Sequence, residues 1–269
     1  MNKKIFSPFA IAIFHRELLG QLIRRDVSIK YKGTLLGIIW AFINPLLMLA
    51  VYTAVFKFIF KARWPETDNS TSEFALMLFI GLLIHGVAAD VIGRAVTVIS
   101  ANKNYVKKVV FPLPILSWSL VISALIQFFF GLLILLVVNT AWGKPIYLTW
   151  LLLPIAIIPY LLFLLAAAWT LSALGVYFKD INQITPSLVT VLLFTSTVFF
   201  PFSHVPEIIR PLLSFNPLTL IIESSRDVLF YGRPPDFIKL SAYFSISFVA
   251  CIGSFNLFKR LERGFADAL

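Results

Sequence analysis

Charge is scarce in this chain. Asp, Glu, Lys and Arg make up 13% of its 269 residues, against about a quarter in an ordinary soluble domain. That scarcity excludes intrinsic disorder, which needs high charge and low hydrophobicity. It also argues against a soluble enzyme. There is one cysteine, Cys251, so neither an intrachain disulfide nor a cysteine metal cluster can form. Cys251 lies in an apolar run and reads as a small core hydrophobe. The three histidines, His15, His85 and His204, lie far apart. No G-x-x-x-x-G-K-[ST] occurs, and Gly143-Lys144-Pro145 holds the one Gly-Lys pair, so nothing cradles nucleotide phosphates. H-E-x-x-H, Cys/His ligand spacing and G-x-S-x-G are missing as well. No cofactor or metal site is expected. The chain reads as a conduit whose energy source lies elsewhere.

Apolar residues are abundant. They make up 59% of the chain, with 27 phenylalanines and a mean hydropathy of +0.89. The bilayer is the expected solvent. Stretches free of Asp, Glu, Lys and Arg cover 33–56, 74–89, 109–143, 145–178, 181–206 and 240–258. Each accommodates one helix of about 20 residues. The expected architecture is all-α, with an amphipathic cytoplasmic interface segment over 1–32 and a six-span membrane domain over 33–269. The spans are expected near 34–57, 74–99, 112–138, 146–176, 184–203 and 239–258. Lys3 and Lys4 precede an apolar stretch, but His15-Arg16-Glu17 follows it in place of a small-residue cleavage site. The N-terminus is therefore expected to remain.

Six spans put both termini on one side. That side, with the 90–108 and 179–180 loops, carries a net +9, and the other side +1. The positive-inside rule places the termini in the cytoplasm. The total of +10 is thus read as loops lying against anionic lipid, not as a nucleic-acid footprint. In the second span Asp90 and Arg94 are four apart and suited to pair. A proton relay through His85 and Asp90 is the rival reading.

Leu18, Leu19, Leu22, Ile23 and Val27 recur at helical spacing among basic residues, as in a helix lying in the membrane interface. Arg24, Arg25, Lys30 and Lys32 either anchor the chain by the positive-inside rule or attract an anionic lipid-linked substrate. Between 203 and 239 the chain is half apolar and too charged to span simply. Asn216-Pro217 is a helix-start pair. Two short outer helices are expected over 206–215 and 217–230, ended by Gly232, Pro234 and Pro235.

Several segments resemble one family. They are Arg25-Asp26-Val-Ser-Ile-Lys-Tyr31-Lys-Gly-Thr-Leu-Leu-Gly37-Ile-Ile-Trp40-Ala-Phe-Ile-Asn44-Pro45, Val106-Lys107-Lys108-Val-Val-Phe111-Pro112, Tyr177-Phe178-Lys179-Asp180-Ile181, Phe215-Asn216-Pro217-Leu218 and the ending from Phe258 to Asp267. In this order they resemble the membrane subunit of type-2 ABC exporters for polysaccharides, over about residues 16 to 269. His85 stands where that pattern has an aromatic residue, often Trp.

The resemblance implies a homodimeric permease in the bacterial inner membrane. Two copies of a separate ATP-binding subunit would hold ATP and Mg. Asn102, Lys103, Asn104, Tyr105, Lys107 and Lys108 would form the coupling helix docking on that subunit, with Lys179 and Asp180 as a smaller contact. The outer helices would cap a pore, and a lipid-linked glycan would approach beside the amphipathic segment. Aromatic rings let a sugar chain slide, since they offer apolar contact without a fixed hydrogen-bond pattern. Tyr52, Phe56, Phe194, Phe199 and Phe200 are therefore candidates for the exit. The alternative is that they face lipid.

The expected function is export of a lipid-linked polysaccharide, O-antigen first, with teichoic acid or capsule as rivals. From other classes, an integral-membrane enzyme acting on lipid-linked sugars would need paired carboxylates or a metal site near an interface, and its candidates Glu223, Asp227 and Asp236 are scattered in one outer loop; His204 with Glu207 is a separate external acid/base candidate. A proton-coupled transporter would need ionisable groups near the midplane. A reporter enzyme fused at Thr71 should read as external; a cytoplasmic reading would overturn the topology.

Overall fold

Hydrocarbon offers backbone groups no hydrogen-bond partners, so apolar runs close their bonds internally as helices. A computed structural model describes residues 7–55, 71–107 and 111–269. Ser7 caps α1 (Pro8–Phe14) and the chain breaks at His15 before α2 (Arg16–Tyr31). Then come α3 (Trp40–Ala54), α4 (Thr71–Ala95), α5 (Lys103–Val106), α6 (Ile115–Ala141) and α7 (Leu153–Tyr177). They are followed by α8 (Ile181–Phe194), α9 (Arg210–Phe215), α10 (Pro217–Arg226), α11 (Phe237–Leu261) and α12 (Phe265–Ala268).

Among the described residues five helices are long and apolar enough to cross a membrane. They cover Gly37–Ala54, Glu73–Ala95, Ile115–Ala141, Leu148–Tyr177 and Phe237–Ala268. The fifth expected span, 184–203, departs from this pattern. Its helix α8 stops at Phe194 after 14 residues, a rise of about 21 Å against a hydrocarbon core of about 30 Å. The outer helices also differ in extent from expectation: α9 begins at Arg210, and α10 ends at Arg226, followed by a wide π turn over Asp227–Tyr231. The interface segment is two helices, not one, and α2 packs along α6.

Helix α7 is the centre of the bundle. It packs against α4, α6 and, most extensively, α11. Trp169 of α7 is fully buried and meets Trp118 of α6 and Phe255 of α11 edge-on, at centroid distances of 6.3 and 5.1 Å. Buried polar atoms on these rings find backbone acceptors. Trp169 Nε1 donates to the Pro114 carbonyl at 3.1 Å, and Tyr160 Oη to the Ile84 carbonyl at 2.6 Å. Satisfied in this way, large amphipathic rings fill a dry core without an unpaired dipole.

Helix polarity defines two ends. One end gathers α2, the 96–107 segment, the 178–181 loop and the C-terminus. There Tyr177 Oη donates to the Leu261 carbonyl at 2.8 Å, and Tyr177 and Phe258 both meet Phe265. These are the segments that the charge count grouped together, and we call this the basic end. The opposite end holds the start of α4, the loop after α6 and the 227–231 turn. Thr149 Oγ1 and Trp150 Nε1 donate to the Val228 and Leu229 carbonyls there, at 2.6 and 2.8 Å.

Near the basic end α4 and α7 touch backbone to backbone. A Cβ on Gly175 would stand 2.2 Å from the Val96 carbonyl oxygen and 2.8 Å from its Cγ1. Glycine is required for that approach. Gly175→Ala should therefore lower the melting temperature of the purified protein, by a destabilisation of about 1–3 kcal/mol as for other overpacked sites. Gly93→Ala, where a Cβ meets nothing within 4 Å, should leave it unchanged. Equal melting curves for the two variants would refute the close contact.

Candidate functional site

Charge of both signs is concentrated where α2 crosses the basic end. Arg94 binds Asp90 through Nε and Nη2 at 2.9 and 2.6 Å, as their spacing predicts, and reaches Asp26 of α2 through Nη1 at 3.1 Å. Lys30 donates to Asp90 Oδ2 at 2.9 Å. Two cations and two anions thus latch α2 to α4. Each is about a quarter to a third exposed, so water screens the pairs and each contributes modestly. One turn earlier, Arg25 donates to Asn102 Oδ1 at 3.1 Å and to Tyr105 Oη at 2.9 Å. Tyr105 stacks on Phe111 with centroids 4.3 Å apart.

Of the four expected headgroup residues, Arg25 and Lys30 are therefore engaged within the chain. Arg24 and Lys32 are exposed. The reach of Arg25 to Asn102 and Tyr105, nearly 80 residues on, has no local sequence signal.

Beside the latch a cleft of ≈ 310 Å³ runs between α3, α4 and α6. Its walls are mostly apolar, including Met48, Phe79, Leu82, Val87 and Phe128. Polar groups from Asn44, Asp90 and Gln127 also line it. Asp90 belongs to the latch, and Tyr31 of α2 donates its hydroxyl to Gln127 Oε1. Burial raises the Tyr31 phenol above its ordinary value. An apolar cleft with a polar, charged side suits an amphiphile.

Tyr52 also lines this cleft and, with Phe199, packs on the cluster of Phe74, Met77 and Leu78 at the opposite end. Phe230 and Tyr231 pack on the same cluster. Phe194 lies 5.9 Å from Phe199, centroid to centroid, and is 65% exposed. Tyr52, Phe194 and Phe199 are thus brought together. Phe200 is half-buried and outside the cluster among the described residues. Phe56 and Lys108 lie outside the described residues.

The early end of α8 has a specific cause. Thr195 and Ser196 turn their hydroxyls back on the Val191 and Leu193 carbonyls, at 2.7 and 2.8 Å. Asn216 Oδ1 caps α10 by accepting from Leu218 N at 2.8 Å, while its Nδ2 donates to the Leu192 carbonyl at 2.9 Å. The carbonyls beyond the break go to Arg226, which is 1% exposed. Its Nη1 donates to Thr197 O at 2.7 Å, and its Nη2 to Val198 O at 2.9 Å. Nε and Nη2 donate to Met77 O of α4 at 3.1 and 3.0 Å, and Glu223 supplies the countercharge at 2.8 Å. One guanidinium thus joins the interrupted span, α10 and α4.

Among the expected coupling residues, Lys103, Asn104, Lys107, Lys179 and Asp180 are exposed at the basic end, whereas Asn102 and Tyr105 face Arg25. Five of the residues considered for catalysis or proton relay, Glu207, Glu223, Asp236, His85 and Asp90, have neighbours of this kind in the fold. Glu223 holds Arg226, and Asp236 caps α11 through the Ile238 and Lys239 amides, both at 3.1 Å. Glu207, 91% exposed, lies 3.9 Å from Arg210. His85 Nε2 is 3.1 Å from the Val189 carbonyl, and Asp90 is held by the latch.

Comparison with known proteins adds an independent finding. The family model described as ABC-2 type transporter matches residues 17–230. The O-antigen export system permease protein RfbA of Myxococcus xanthus is 30% identical over 259 residues, covering 95% of this chain and 96% of that protein. Its namesake in Klebsiella pneumoniae is 23% identical over 254 residues, covering 94% and 95%. The polysialic acid transport protein KpsM of Escherichia coli is 24% identical over 246 residues, covering 90% and 92%.

Arg226→Lys keeps the charge and loses the fork. Each carbonyl left buried without a donor costs about 1–3 kcal/mol, so thermal melting of the detergent-purified variant should fall well below wild type. An unchanged midpoint would mean that the fork does not hold the break.

Proposed function

The chain belongs to the ABC-2 type transporter family, and on that premise we propose that it is the permease subunit of an ATP-driven exporter of a lipid-linked polysaccharide. The observation that carries this reading is the connection made by α2. Through Tyr31 and Lys30 it touches the polar side of an amphiphile-shaped cleft, and through Arg25 it holds the exposed 100–107 segment. A lipid tail fits the apolar walls, and Arg24 and Lys32 offer charge to an anionic headgroup at the cleft's edge. The 100–107 segment and the 178–181 loop form the surface on which a separate ATP-binding subunit docks. Motion there reaches the cleft through α2. Both termini lie in the cytoplasm of a bacterial inner membrane, which agrees with the clustering of positive charge at the basic end.

O-antigen is the cargo favoured by the full-length likeness to the two RfbA permeases. A capsular polymer is the second reading, favoured by KpsM. The chain functions as a homodimer. In support, α3 exposes Leu46, Leu47, Met48 and Val51, and α8 exposes Ile184, Leu188, Val191 and Phe194, apolar faces on the two helices that flank the aromatic cluster. Two copies meeting along them would line one pore, with Tyr52, Phe194 and Phe199 toward its outer part.

Deleting the gene should remove one polymer from the cell surface, and its identity decides between O-antigen and capsule. Lys103→Glu with Lys107→Glu should weaken co-purification of the ATP-binding subunit while leaving permease abundance unchanged. Arg25→Ala should keep the subunit bound yet lower export about tenfold, the loss expected for roughly 1.4 kcal/mol of coupling. Full export by this chain without any ATP-binding subunit would defeat the reading.

A further inference from the structure

At the opposite end, away from the latch, lies a second cavity of ≈ 260 Å³. Its volume falls just below the range of about 300–1,000 Å³ usual for drug-sized ligands. Its lining is mixed in kind. Rings come from Tyr147, Phe230 and Tyr231, and polar groups from Glu73, Asn139 and Lys144. Lys144 pairs with Glu73 through Oε1. The other carboxylate oxygen, Oε2, is buried and has no hydrogen-bond partner among the described residues. A buried acceptor of this kind is costly unless a donor reaches it.

The walls are held in place. The Thr149 and Trp150 bonds to the Val228 and Leu229 carbonyls fix the 227–231 turn against the loop after α6. Gly232, at φ +63°, lets the chain turn directly against the Tyr147 ring, where a Cβ would come within 2.7 Å of Cδ1. The far side of Phe230 and Tyr231 continues into the aromatic cluster with Tyr52 and Phe199. Rings and hydrogen-bonding groups facing one small, rigid, externally placed space match the two surfaces of a sugar. Its C–H faces lie on aromatic rings, and its hydroxyls donate to a carboxylate and an amide oxygen and accept from an ammonium. A lipid tail would leave Glu73 Oε2 unpaired, whereas a sugar hydroxyl supplies the missing donor.

We propose that this cavity is a saccharide-binding site that holds one unit of the exported glycan as it emerges. This rests on the polysaccharide-export reading and adds a site that the aromatic cluster alone does not provide. Tyr147 and Glu73 are its specificity-determining residues, the first by stacking and the second by accepting a hydroxyl proton in a charge-assisted bond.

The test uses the full chain with its ATP-binding subunit in lipid nanodiscs. The probe is an oligosaccharide released by mild acid from the host's own surface polymer, followed by saturation-transfer NMR. Wild type should transfer saturation to ring protons of the sugar. Tyr147→Phe should retain the signal, Tyr147→Leu should lose it, and Glu73→Gln should weaken binding about tenfold. If Tyr147→Leu does not fold, the Glu73→Gln and Tyr147→Phe pair still decides. No transfer in wild type, or equal transfer in Glu73→Gln and wild type, overturns the site. Restoration of surface polymer by the wild-type gene in a deletion strain is scored separately. Intact export without oligosaccharide binding therefore removes this cavity's role and leaves the export reading standing.

Discussion

The end of this protein opposite the basic one depends on one buried guanidinium. A helix that stops partway across a bilayer leaves carbonyls facing a medium without donors, and each such group costs several kcal/mol. Arg226 meets that demand from another part of the chain, bonding three backbone carbonyls and one carboxylate. Its planar fork supplies donors in several directions at once, which a lysine ammonium cannot match in this geometry. The shortened α8, the seating of α10 and the fixed position of Met77 are one arrangement with one keystone. The aromatic cluster and the second cavity both use Met77, so they too inherit their geometry from that residue.

Much of the fold was legible because membranes make local sequence informative. Five of the six uncharged runs hold helices long and apolar enough to cross a membrane, the Asn216 cap formed as its sequence predicts, and Asp90 found Arg94 four residues on. The break after Phe194 escaped detection because 181–206 is uncharged throughout, and hydropathy does not distinguish a spanning helix from one whose last carbonyls have outside donors. The run Thr195-Ser196-Thr197, with hydroxyls able to bond backward, was the available local hint. Arg226, which binds the carbonyls beyond the break, lies about 30 residues away within the short helix expected over 217–230, where nothing local ties it to the 195–198 stretch.

The basic residues near the start teach a related lesson. Arg24, Arg25, Lys30 and Lys32 are equivalent in a charge count, yet the fold divides them. Arg25 and Lys30 face partners on other segments, and Arg24 and Lys32 face outward. Helical phase alone did not separate them, because the partners Asn102, Tyr105 and Asp90 are brought close only by the packing of α2 along α6.

The Gly175–Val96 contact has a mechanical consequence. The backbone of Gly175 in α7 meets the carbonyl and the side chain of Val96, just after α4, with no room for a further atom, and so close a fit resists sliding of one element past the other. The 96–107 segment continues from one side of that contact and the 178–181 loop from the other. The two loops that start from this contact are therefore tied to each other at their roots.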